Sequence, residues 1–141
     1  MHKKRLISTI ITLIFIGIVA LFIFKLYSKT LTVRDKLLKN GYQDIDNNNY
    51  SKEVNKTTNY FFNFEFDVKY FIITVNDEHQ IYFFEKDQAL INECQYDFID
   101  KKALEETACT SFDIKKVNSL KKTFLKELKK TKITLKELKK V

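Results

Sequence analysis

The chain has 141 residues, carries 25 Lys and Arg against 18 Asp and Glu, and contains no Pro and no Trp. Thirteen phenylalanines and seven tyrosines supply enough apolar bulk to exclude disorder of the whole chain. Two histidines and two glycines leave little material for a multi-histidine metal centre or a Gly-rich phosphate loop, and the two cysteines, Cys94 and Cys109, are too far apart in sequence for a redox Cys-x-x-Cys pair.

The first element is the clearest. Residues Leu6 to Phe24 contain no charged side chain. Nineteen residues of helix span about 28 Å, close to the hydrocarbon thickness of a bilayer. A basic stretch, MHKKR, precedes the run and Lys25 follows it. A secretory signal peptide shares that outline, but its apolar region is shorter and ends at a small-x-small site. Here Ile18 stands two before Ala20, and Leu26 two before Ser28. The expectation is therefore an uncleaved anchor with span ends at Leu6 and Phe24, not a cleaved leader. Cationic residues flank it on both sides. The short, strongly basic tail of residues 1–5 favours a cytoplasmic N-terminus and an extracytoplasmic remainder.

Residues 25–41 are expected to form a juxtamembrane helix, with the Leu31, Arg34, Leu37 and Leu38 spacing inside Thr30–Asn40 and Gly41 as its terminator. A small domain is expected over 42–141. Residues 43–58 read as a polar loop with a short strand at Tyr42–Ile45. Strands are then expected at Asn59–Phe66, Val68–Val75, Gln80–Glu85 and Leu90–Tyr96, the central pair joined by Asn76-Asp77-Glu78-His79. Such short connections imply an antiparallel meander of three or four strands. Asp100–Ala108 suggests a helical turn or two. From about residue 115 the chain is basic and helical, with Val117, Leu120, Phe124 and Leu128 forming one apolar stripe. Thr134 and Glu137 fit a capping box that restarts a helix. The expected fold class is α+β: an N-terminal transmembrane helix, then the meander, covered by the C-terminal amphipathic helix.

Charge divides along the chain. From Tyr42 to Ser111 there are six Lys against fourteen Asp and Glu, and from Lys115 to Val141 eleven Lys against Glu127 and Glu137. The basic end suits an anionic membrane surface, or the solvated face of a core-packing helix. Nucleic acid is not an expected partner, since no reading motif accompanies the charge.

Candidate chemistry is sparse. Cys94 and Cys109 lie on the same side of the span; an oxidising compartment allows them to pair, and a reducing one leaves them as buried thiols. Asp44, Asp46 and Asn48 begin like a calcium loop, but Asn49 stands where Gly is needed and Asn55 where a bidentate Glu should close it. His79 falls in an expected turn, and Glu65, Asp67, Asp77, Glu78, Glu85 and Asp87 at strand ends, where solvated carboxylates are the rule. No catalytic set, metal centre or cofactor is expected.

The opening MHKKRLISTII, the stretch KLLKNGYQDI and the segment YFIITVNDEHQIYFFEKD together resemble the short single-pass membrane-anchored proteins of unknown function of low-GC Gram-positive bacteria. The resemblance implies a location at the cell membrane and a fold type, and assigns no residue a role. The expected function is a non-enzymatic, extracytoplasmic interaction or accessory role. Expected partners are the lipid bilayer and an envelope protein or anionic envelope polymer. The alternatives are an immunity or exclusion factor acting at the membrane, or a small envelope enzyme.

Overall fold

The computed structural model describes residues 2–29, 32–46, 48–65, 68–109 and 112–141. The chain divides into two compact units, Met1–Thr32 and Val33–Val141.

The first unit is one helix, α1 (His2–Lys29). Its segment His2–Phe24 is long and apolar enough to cross a membrane, and none of its most apolar window is buried within the protein. Its two threonine hydroxyls are satisfied locally: Thr9 Oγ1 donates to the Arg5 carbonyl and Thr12 Oγ1 to that of Ser8, each at 2.9 Å. Local bonding of this kind lets Ser and Thr sit in an apolar helix without an orphaned polar group.

The second unit is α+β. A short helix α2 (Val33–Lys39) leads into eight strands: β1 (Gln43–Asp44), β2 (Asn49–Asn55), β3 (Thr58–Asn63), β4 (Tyr70–Val75), β5 (Glu78–Phe83), β6 (Gln88–Ile91), β7 (Cys94–Asp97) and β8 (Lys102–Ala103). Every strand pairs antiparallel with the next, so the spatial order repeats the chain order. Two helices follow, α3 (Ile114–Thr131) and α4 (Leu135–Lys139).

The meander and its helical cover match the expected architecture in outline, but the strand number is twice the expected one. Three differences account for this. The expected polar loop at 43–58 holds β2, a strand whose first residues Asn49 and Tyr50 are buried against the core. The expected strand Leu90–Tyr96 is a hairpin, folded back at Asn92-Glu93, both at positive φ. The expected helical turn at 100–108 contains β8 instead. The four-residue connection expected at 76–79 is also tighter. Asn76 and Asp77 make the turn with φ of 50° and 67°, and Glu78 and His79 already pair in β5. Positive φ at both central residues matches the right-handed twist of flanking strands.

Strand alternation sorts the side chains onto two faces. Phe62, Phe71, Tyr82 and Phe84 point to one face and close around Phe124 of α3, with ring centroids 4.8–6.4 Å from it. The stripe Val117, Leu120, Phe124 and Leu128 is buried there as expected. Asp113 caps the start of α3 by accepting from the Lys115 amide. Lys132, in the left-handed conformation, closes its end. The capping box of Thr134 and Glu137 forms as expected.

Candidate functional site: the open face of the sheet

The opposite face of the sheet carries a continuous row. Ser51 pairs with Phe61, Phe61 with Ile72, Ile72 with Ile81, Ile81 with Leu90 and Leu90 with Gln95. All six side chains are half-buried. Four large apolar residues thus lie side by side across four strands, on the face turned away from α3. A second row, Glu53, Asn59, Thr74 and His79, runs beside it. The second row, with Ser51, Phe61 and Ile72 of the first and with Gln43 and Tyr60, lines a groove of about 660 Å³. Thr74 Oγ1 and His79 Nδ1 lie 2.8 Å apart, so His79 is a strand residue bonded across the pair, not the turn residue expected. Both sheet edges are short: β1 and β8 have two residues each. Edges of that length give little template for an added strand.

The two largest displacements of ionisation, at Tyr42 and Tyr82, lie on the other side, under the helix. Burial first, then the Glu127 carboxylate, raises the Tyr42 hydroxyl well above its ordinary value. Tyr42 Oη donates to Glu127 Oε1 at 2.8 Å, and Lys52 Nζ reaches the same oxygen at 3.4 Å. Burial, with a 2.6 Å hydrogen bond to Asp87, likewise raises Tyr82. Lys121 of α3 pairs with Asp87 at 2.9 Å and stands 4.6 Å from the Phe98 ring centroid. Both clusters fasten α3 to the sheet. Asp87 is therefore a packing residue, not the solvated strand end expected of it. Glu127 was legible only in outline: it is the one acid of α3 and falls beside Phe124 and Leu128 on the apolar stripe.

The remaining candidates have structural places. Cys94 and Cys109 form a disulfide, with Cα atoms 4.7 Å apart. Asp44 accepts from Arg34 at 3.0 Å and Asp46 from the Asn49 amide at 2.7 Å. At Asn48 it is the backbone carbonyl, not the side chain, that is engaged, accepting from the Phe64 amide. Among the described residues no cluster of three or more His, Cys, Asp or Glu could hold a metal ion. Glu85 pairs with Lys69 at 3.6 Å, and Asp67 lies outside the described residues. No family model, curated protein or solved structure matches the chain.

Proposed function

We propose that the chain is a single-pass membrane protein that displays its α+β domain on the extracytoplasmic side and binds an envelope protein through the open face of its sheet. The apolar row Phe61, Ile72, Ile81 and Leu90 carries this reading. Half-exposed apolar side chains in one contiguous strip, rimmed by polar groups, are the usual mark of an interaction surface. The Cys94–Cys109 disulfide supports the side of the membrane, because such bonds persist in oxidising compartments. Binding is favoured over catalysis by where Tyr42 and Tyr82, the two most strongly displaced groups, lie: each is bonded to a carboxylate that ties α3 to the sheet, and neither lines the groove.

Two measurements test the proposal in intact cells. A C-terminal fusion to a reporter active only after export should be active, and one to a reporter active only in the cytoplasm silent; the reverse pattern contradicts the topology. A photoreactive residue replacing Ile72 should give a discrete heavier adduct that is absent when Lys122, on the far side of the domain, is replaced. Equal labelling from both positions contradicts the binding face.

A further inference from the structure

The outer side of α3 is as one-sided in charge as its inner side is in hydropathy. Lys115, Lys122, Lys126 and Lys129 recur at seven, four and three residues, the spacing that stacks side chains on one helix face. All four are exposed, and Leu125 stands among the last three, 49% exposed. Among the described residues no ion pair engages these four lysines, and Glu127, the one acid within α3, is buried against Tyr42. The neighbouring Glu137 is occupied by Lys36 at 3.0 Å. The sheet segment beneath carries fourteen acids against six lysines. The outer side of α3 is therefore basic, whereas the open face of the sheet carries its apolar row with Glu53 as the one acid among the two rows described above.

An anionic surface attracts the α3 side, and a membrane crossed by α1 brings such a surface near. Only residues 30–32 separate α1 from α2, so an anchored chain keeps the domain within a short tether of the lipid headgroups. We propose that the outer face of α3 lies on anionic headgroups beside the anchor, turning the open face of the sheet away from the bilayer and toward its partner. The inference rests on the anchor assigned above and adds an orientation to it. Its occupant is a lipid surface of phosphate-bearing headgroups, held by charge and by contact of Leu125 with the interface.

The chain has no tryptophan, so Leu125→Trp and Ile72→Trp each create a single reporter. Full-length variants are reconstituted into vesicles containing brominated lipid, one set rich in phosphatidylglycerol and one of phosphatidylcholine alone. Flotation confirms insertion first. The Leu125→Trp emission should be quenched severalfold more strongly in the anionic vesicles than in the neutral ones. That excess should vanish in 1 M salt, where the screening length falls to about 3 Å. It should also vanish in the triple variant Lys122→Glu, Lys126→Glu, Lys129→Glu. Ile72→Trp should stay unquenched throughout. Quenching indifferent to lipid charge, or stronger at Ile72→Trp, overturns the orientation while leaving the anchor intact. An emission change produced by soluble polyphosphate and not by anionic vesicles assigns the face to a polymer and also overturns it. Failure to float overturns the anchor and the orientation together.

Discussion

The Tyr42 hydroxyl and the Glu127 carboxylate meet at 2.8 Å although 85 residues separate them. One residue precedes the first strand and the other sits in the last long helix, so this bond ties the start of the sheet to the helix that covers it. Lys52 of β2 completes the cluster, 3.4 Å from the carboxylate and 5.4 Å from the Tyr42 ring centroid. A buried carboxylate that loses one of two partners retains its desolvation cost. Tyr42→Phe is therefore expected to destabilise the domain by about 1–3 kcal/mol, measured by urea denaturation of the detergent-solubilised protein. A change below a few tenths would mean that water replaces the bond.

The same tyrosine sets an alkaline limit. Tyr42 and Tyr82 are both held above the ordinary phenol value, first by burial and then by their carboxylate partners. In the unfolded chain a tyrosine loses its proton near pH 10. Above that pH the unfolded state binds fewer protons than the folded one, so stability falls as pH rises. It should be constant below about pH 9.5 and decline beyond pH 10. Thermal melts from pH 8 to 11.5 follow it, and Tyr42→Phe should reduce the slope. An unchanged slope in both Tyr42→Phe and Tyr82→Phe contradicts the assignment.

Phe124 is the central ring of the core. It is fully buried among Phe62, Phe71, Tyr82 and Phe84. Truncation to alanine should cost about 3–5 kcal/mol, a large share of the stability of a domain this size. Leu125→Ala, one residue along on the exposed side, should cost under about 0.5 kcal/mol. Equal effects at the two positions would contradict the burial of this helix face.

The helix stripe and the aromatic strands were legible because the periods of 3.6 and 2 survive in them: Val117, Leu120, Phe124 and Leu128 on one, and Tyr60, Phe62 and Phe64 on the other. The capping box at Thr134 was legible for a similar reason, since its chemistry is local. The turn at Asn92-Glu93 was not. Its two residues adopt φ of 51° and 65° without a glycine, and the alternation Leu90, Asn92, Cys94, Tyr96 continues through it as though the strand were unbroken. The β2 strand hid behind asparagines, because the bond from Asn63 Nδ2 to Asn49 Oδ1 at 2.7 Å satisfies them only after pairing. The open face was half visible: Phe61, Ile72 and Ile81 alternate with core residues, yet only the register shows them as one row.

That hidden turn gives a further prediction. Glycine reaches positive φ without the Cβ penalty, so Glu93→Gly should stabilise the hairpin by roughly 0.5–1 kcal/mol. A thermal melt reads this directly, and a lowered melting temperature would contradict the turn assignment.

The disulfide spans 15 positions of sequence. On the chain-entropy account, its loss should cost about 3 kcal/mol. Cys94→Ala with Cys109→Ala, compared with the native chain under non-reducing conditions, measures it. Maleimide labelling of denatured protein from cells lysed in alkylating buffer should add no mass without reductant and two labels with it. Two labels without reductant would place the cysteines in a reducing compartment.

The account depends most on α1 remaining in the lipid as part of the mature chain. Alkaline carbonate extraction of cell membranes, with mass spectrometry of the protein recovered, tests this most directly. The protein should stay in the membrane pellet and retain Leu6 to Phe24; release into the supernatant as a chain beginning beyond Phe24 would contradict it.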